Sequence, residues 1–393
     1  MARWPYPLPM TTAPVTEIDL AAFAADPYPA LAAMRKTAPV TFVPQLGAVL
    51  LTRRDDVHHW EKQTACLSSD QPGGLMTVLM GQNLMRRDGA DHQNERKILF
   101  PALSPRTVAR HWKPKFEAAT RAILDDLKPR GSCDLVRDFA MPVSAHALRE
   151  ITGLTTMTAQ EMDSASQAMI DGCANYAGDP AIEARCHAAT ALIDAHIDRQ
   201  VAAPPEQSVL AVQVQAGLPM DNTRANVKLV ISGGQNEPRD AIAGTALALL
   251  DHPDQLALIR QGKADWADAF GEYVRLHSPI GMSPRRAAKQ FQINGFDIEA
   301  ESRVFLMFSS AGRDEAHFTA PDTFDLTRNT GPAIPFGAGP HFCAGAAAAR
   351  CMITEIALPM LFAALPGLRI DGDAPLHGWA FRGPVRVPVR WTP

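Results

Sequence analysis

Phe336-Gly337-Ala338-Gly339-Pro340-His341-Phe342-Cys343-Ala344-Gly345 is the stretch that decides the reading of this chain. One cysteine is framed by glycines and an aromatic, and Ala-rich sequence with helical character follows from about Ala344 to Leu365. Gly337 and Gly339 permit backbone angles closed to other residues, so the loop can fold tightly under a flat ligand. The sulfur falls at the start of the helix. There the positive end of the helix and its unpaired N–H groups favour thiolate over thiol. These features suit a thiolate bound to a large planar metal cofactor. The competing reading is a buried structural cysteine beside a Gly-rich turn.

The run resembles the haem-binding loop of the cytochrome P450 family, Phe-x-x-Gly-x-(Arg/His)-x-Cys-x-Gly, and meets all of its fixed positions. The resemblance implies haem b (iron protoporphyrin IX) with Cys343 as the iron ligand and Phe336 and Gly337 in the cofactor-binding loop. An electron-rich thiolate behind haem iron favours O–O cleavage.

The rest of the chain agrees with a single unit. It has 393 residues, and no Gly/Ser linker, charge run or internal repeat divides it, so we read residues 1–393 as one domain. The 46% hydrophobic content is enough for a sizeable core. A net charge of −4 gives no reason to expect nucleic-acid binding. The proline-rich start, with Pro5, Pro7, Pro9 and Pro14, has no apolar run long enough for a signal peptide or membrane anchor. The expectation is a soluble, cytoplasmic protein that meets no membrane. Six cysteines without CxxC spacing give zinc and iron–sulfur sites little support.

Helical patterns dominate, among them Pro105 to Leu127, Asp221 to Leu250, Trp266 to Leu276 and Ala344 to Leu365. Pro359 should kink the last of these or end it early. Short β-like runs occur at Val40–Val43, Ala48–Thr52, Lys289–Ile293, Arg303–Phe308 and Val385–Val389. The class is mainly α with a small β portion. The resemblance, which covers nearly the whole chain in motif order, implies the cytochrome P450 fold, a helix-rich triangular prism.

Three further groups of residues carry chemistry. Glu272 and Arg275 are three apart on a helix and so share a face. The resemblance adds Arg328 as a third member of a buried network behind the haem loop. His92 and Arg96, four apart, stack on one face. By resemblance they, with Arg285 and His341, cradle the haem propionates, and Arg286 is an alternative to Arg285.

The third group is Gly233-Gly234-Gln235-Asn236-Glu237-Pro238. The family's helix across the distal haem face carries Ala-Gly-x-(Asp/Glu)-Thr-(Thr/Ser), an acid and an alcohol that deliver protons. Here Asn236 stands at the acid position and Glu237 at the alcohol position. Pro238 removes a donor and clashes with the carbonyl of Gly234, so a kink with a freed carbonyl should open there. Asn236 can cap the renewed helix and a carboxylate at Glu237 suits its positive end. Glu237 and Asn236 are the catalytic candidates. Either Glu237 relays protons or it only stabilises the turn.

The Asn-Glu-Pro variant is similar to that of guaiacol-type aromatic O-demethylases of this family, as is Gly378-Trp379-Ala380-Phe381-Arg382-Gly383-Pro384. That resemblance puts Phe381 in the substrate pocket. Gly234 and the apolar 73–85 loop, with Leu79 and Met80, are further pocket candidates. Arg106, Arg110, Lys113 and Lys115 form either a solvated face or a docking surface for an acidic iron–sulfur partner.

The expected activity is therefore O2-dependent oxidation of a small hydrophobic substrate, with O-dealkylation of an aromatic ether as the leading chemistry. Electrons would come from a ferredoxin or other iron–sulfur donor with its NAD(P)H-dependent reductase. The alternatives are hydroxylation of an alkyl ether or terpenoid, a peroxide-driven reaction using Glu237, and a non-enzymatic haem sensor or carrier.

Overall fold

Prolines set the shape of several long helices. The computed structural model describes residues 11–175 and 178–392, so the reading of Met1–Met10 lies outside the described residues. Pro114, Pro142 and Pro359 each follow a stretch of wide π-helical turns, at Val108–Trp112, Leu135–Ala140 and Cys351–Ala357. Each proline then sits in the first turn of an ordinary α-helix, Lys113–Leu127, Met141–Thr152 or Leu358–Ala364. A proline in that position forfeits only an N–H that an N-terminal turn leaves unused. The π turns shift the ladder so that the ring meets no carbonyl. Of the two outcomes expected at Pro359, a kink or an early end, the early end does not occur, because the backbone widens before it.

The helix expected at 221–250 is in fact two. Met220–Ser232 and Asn236–Asp251 are separated by Gly233, Gly234 and Gln235. Every residue from Ala241 to Leu249 is buried. A helix apolar all round lies at the centre of a fold, and this one carries the kink to the middle of the molecule. It stops at His252, just before Pro253 starts the next helix.

Trp266–Leu276 opens with a capping box, Asp265 accepting from the N–H groups of Ala267 and Asp268 while Asp268 accepts from the N–H of Asp265. Ala269, Phe270, Tyr273 and Val274 bury its apolar face.

The β portion is small. A five-stranded sheet runs in the spatial order Val40–Val43, Ala48–Leu51, Arg303–Leu306, Ser283–Ala287, Leu67–Ser68. Its one parallel pair joins Ala48–Leu51 to Arg303–Leu306, in register Val49 to Val304. The other described sheets have two or three short strands. The main core lies among the helices and two smaller apolar clusters pack against the five-stranded sheet.

Among the described residues, the stretch Ala346–Ala364 is long and apolar enough to cross a membrane, but half of it is buried against the rest of the chain. Core helices commonly have that composition.

Candidate functional site

The cysteine loop is held by its own backbone and by a turn from far away in sequence. The Cys343 N–H donates to the Phe336 carbonyl at 2.9 Å, closing the loop. Gly337 and Gly339 take φ of +73° and +68°, which L-residues avoid. Their missing side chains serve a second purpose, absent from the sequence reading. A Cβ on Gly337 would lie 2.6 Å from Glu61 Oε1, and one on Gly339 would lie 2.8 Å from the Lys62 side chain. Two consecutive residues at the end of the Arg54–Trp60 helix therefore press into the loop. Phe336 packs 6.1 Å from Phe270 and lies under the Arg350 guanidinium at 4.8 Å.

The helix after the cysteine begins at Ala346, with Gly345 as its cap. Burial raises the Cys343 thiol pKa above its ordinary value. The Gly345 N–H, Arg96 and Arg350 pull it down without overcoming that, and Glu237 adds to the rise. The helix start is thus not enough to make a thiolate, contrary to the expectation from sequence. A buried thiol of this kind ionises when a metal takes the proton's place.

Behind the loop, Glu272 and Arg275 are fully buried. Arg275 donates through Nε and Nη2 to both Glu272 oxygens at 2.7 Å, a bidentate pair. Arg328 Nε adds a bond of 3.0 Å and the Asp325 N–H one of 3.1 Å. The remaining Arg275 donors go to the carbonyls of Gly312, Pro321 and Thr323. The three residues that the sequence grouped are brought together.

The four basic residues assigned to a cradle also converge. His92 is buried, and its ring lies 4.2 Å from that of His341. His341 Nε2 bonds Asp88 Oδ1 at 2.9 Å, and Asp88 also accepts from Ser68 Oγ and the Ser69 N–H. Burial lowers the His341 pKa and pulls that of His92 down to about 4, so His92 is neutral at pH 7. Arg285 donates Nη1 to Ser283 Oγ and the Pro284 carbonyl. Arg286 points elsewhere, to Glu301 and the Asp70 carbonyl, so the choice between the two arginines falls on Arg285. Half-buried Arg96 lies within the electrostatic field of Cys343.

Two buried donors in this cradle, His92 Nε2 and Arg285 Nε, have no hydrogen-bond partner among the described residues. Orphaned buried donors are costly and mark a missing acceptor. Two propionate carboxylates beside Cys343 would supply such acceptors, so these residues fit haem b.

Across from the cysteine lies the break in the central helix. Glu237 is close enough for its charge to raise the Cys343 pKa. The Gly234 carbonyl, which loses its donor at Pro238, lies 3.4 Å from Ser144 Oγ, which also donates to the Gln235 carbonyl at 2.9 Å beside the Arg239 N–H. A side chain on Gly234 would strike Leu148 and the Val230 carbonyl, so Gly234 packs against the neighbouring helix.

Asn236 does not cap the renewed helix, as the sequence reading had it. Gln235 holds that position, and Asn236 is the first helical residue. The Asn236 amide is fixed on the Ala159–Cys173 helix, accepting from Ser166 Oγ and donating to Gln167 Oε1, both at 2.8 Å. The two catalytic candidates therefore differ. Glu237 Oε2 is buried with no hydrogen-bond partner among the described residues. Its pKa is pushed up to about 8, chiefly by burial, then by Asp240, with Arg239 and a backbone N–H opposing. Arg239 is itself divided between Asp163 and Asp240.

Phe381 lines a cavity of about 60 Å3 together with Leu75, Met76, Met282 and Ala380. Leu79 and Met80 do not line it; both are buried in the main core, Met80 Sδ lying 3.7 Å from Cys173 Sγ. Among the basic run, Lys113 pairs with Glu355 and Lys115 with Glu150, while Arg106 and Arg110 are exposed.

The cytochrome P450 family profile matches residues 268–362, from the Glu272 helix through the cysteine loop. A 6-deoxyerythronolide B hydroxylase of Saccharopolyspora erythraea is 30% identical, over 97% of this chain and 99% of that protein. A putative cytochrome P450 of Bacillus subtilis is 26% identical, over 91% and 92% of the two. In structure, P450BioI in complex with hexadec-9Z-enoic acid ligated acyl carrier protein matches with a TM-score of 0.86, over 94% of this chain and all of that one, at 22% identity.

Proposed function

This chain belongs to the cytochrome P450 family, and from that premise we propose that it oxidises a small hydrophobic substrate, an aromatic ether by preference, with Glu237 delivering protons. As a haem-thiolate monooxygenase it binds haem b and works with redox partners. Haem held there would supply O2 activation: with two electrons and two protons from outside, one oxygen atom would enter a C–H bond and the other would leave as water.

The chain's own residues supply the rest. Cys343 gives the sulfur donor, and the Glu272–Arg275–Arg328 network keeps its loop from shifting. His92, Arg96, Arg285 and His341 hold the propionate edge. Phe381, Leu75 and Met76 are assigned to the apolar side of the substrate space and share one small cavity wall with the polar Gln71, Arg86 and Arg303. The observation that carries the proton role is Glu237 Oε2, buried, without a hydrogen-bond partner among the described residues, and near enough for its charge to act on Cys343. With a pKa of about 8 it is a protonated acid at pH 7, ready to give a proton up. That state favours O2-driven turnover over the peroxide-driven alternative, which needs a base to deprotonate peroxide.

The aromatic preference rests on Phe381 at the cavity wall and on the Asn-Glu-Pro and Trp-Ala-Phe resemblances. One named relative is a hydroxylase of 6-deoxyerythronolide B and one solved neighbour is in complex with an acyl carrier protein bearing hexadec-9Z-enoic acid, so substrate choice varies widely among them. Electrons are assigned to a ferredoxin-type donor that meets the exposed Arg106 and Arg110. The cytoplasm is the expected compartment.

A spectral screen tests the substrate reading. Alkoxybenzenes should shift the ferric protein to high spin and release an aldehyde on turnover. A shift only with alkyl ethers or terpenes rejects the aromatic ether, and turnover with H2O2 alone rejects the O2-driven route. Phe381→Ala should weaken alkoxybenzene binding about tenfold, the scale of one buried aromatic contact.

A further inference from the structure

Glu61 lies at the end of the Arg54–Trp60 helix, and nothing in its local sequence marks it out. It is only 2% exposed. Its Oε2 accepts the Ala338 N–H of the cysteine loop at 2.8 Å. Its Oε1 stands 3.7 Å from Arg285 Nη2 and presses on the bare Cα of Gly337. Trp60, next to it, packs on Phe291 at 5.0 Å and fixes the turn.

Arg285 thus faces two ways. Nη2 looks to Glu61, while the buried Nε has no partner among the described residues and is available to a propionate. We propose that Glu61 is a positioning residue of the haem site: it ties the cysteine loop to the Arg54–Trp60 helix, shares Arg285 with a propionate, and takes up one proton when the haem is reduced. The proposal needs haem binding but not the aromatic substrate.

The charged surroundings of Glu61 are few. Arg285 comes from the Ser283–Ala287 strand, Lys62 from its own turn, and the Ala338 N–H from the cysteine loop. Beyond Arg285 lies Asp88, bonded to His341, whose ring meets His92. Burial pushes the Glu61 carboxyl up to about 7, against the pull of Arg285 and the N–H. A propionate on the other side of Arg285 draws part of that charge away and moves Glu61 further up. One electron from an external donor lowers the charge at the iron by one. Glu61 then holds a proton more tightly, and its carboxylate binds one from solvent. One electron and one proton are gained together, and charge balances. Burial pulls His92 down to about 4, out of this window, and shifts His341 below its ordinary range.

The test is a redox titration of the holoprotein with dithionite from about pH 6 to about pH 9. The reduction potential of the native protein should fall as pH rises, and Glu61→Gln should flatten that slope and hold the potential higher at the alkaline end. Gln keeps an acceptor for the Ala338 N–H, so the loop stays tied. An equal slope in both proteins overturns the proposal. If Glu61→Gln fails to retain haem, infrared difference spectra on reduction of Glu237→Gln protein carrying carboxyl-13C glutamate decide. A new isotope-shifted glutamic-acid C=O band supports the proton uptake, and its absence overturns it.

Discussion

Glu272 and Glu237 are both buried glutamates near the cysteine loop, yet their surroundings are opposite. Glu272 accepts four hydrogen bonds, two of them from Arg275 and one from Arg328. Glu237 has one oxygen with no partner among the described residues, and its neighbours are a backbone N–H, Asp240 and a shared arginine. Full pairing holds a carboxylate rigidly in one place, which suits a scaffold. Desolvation with few partners makes a carboxyl reluctant to ionise, which suits an acid that must both give and regain a proton. The same side chain does two jobs because of what the fold puts around it.

Substitutions can break this contrast, and the largest effect belongs to the scaffold. Glu272→Ala strands two buried guanidiniums, and removing one partner of such a pair costs about 3–5 kcal/mol. Chemical denaturation should show that loss, and haem retention should fall with it. A loss below about 1 kcal/mol would place Glu272 among weak surface-type pairs.

Glu237→Gln should leave folding intact and act on turnover. The loss of an acid–base group is worth about a hundredfold or more in rate, read as electrons consumed without product. Unchanged coupling would assign Glu237 to the kink alone. Native product formation should fall as pH rises through about 8, where Glu237 gives up its proton, and the variant should lack that limb. Stability supplies an independent sign. The folded state holds the Glu237 proton up to about pH 8 while the unfolded chain releases it near 4.5. Between those values the native state binds more protons, so stability falls as pH rises. Glu237→Gln should remove that fall, as measured by thermal melts at two pH values.

The smallest effect sharpens the picture of the kink. Ser144→Ala removes one of the two donors to the Gln235 carbonyl and should cost about 1 kcal/mol. Its coupling of electrons to product should stay closer to native than that of Glu237→Gln. If Ser144→Ala uncouples just as strongly, the kink geometry rather than the acid governs proton delivery.

Much of this site was legible as a sequence because short motifs carry fixed spacing. His92 and Arg96 share a helical face by their separation, and Glu272 and Arg275 do so as well. Arg285 and Arg286 could not be told apart, because adjacent residues on a strand point to opposite faces and register is a tertiary property. Leu75 and Met76 were indistinguishable from Leu79 and Met80, since a wholly apolar helical stretch gives no sign of which side meets a cavity. Glu61 left no trace at all, because its partners are Ala338 and Arg285, more than two hundred residues away.

The amino-acid sequence alone determined the cysteine loop, its two strained glycines, the helical class and the break before Pro238, since all of these follow from local backbone limits and residue spacing. The tertiary structure decided which charges stay ionised. Whether Cys343, Glu237 or Glu61 carries its charge depends on burial and on partners brought in from distant segments, and chain order does not encode either one.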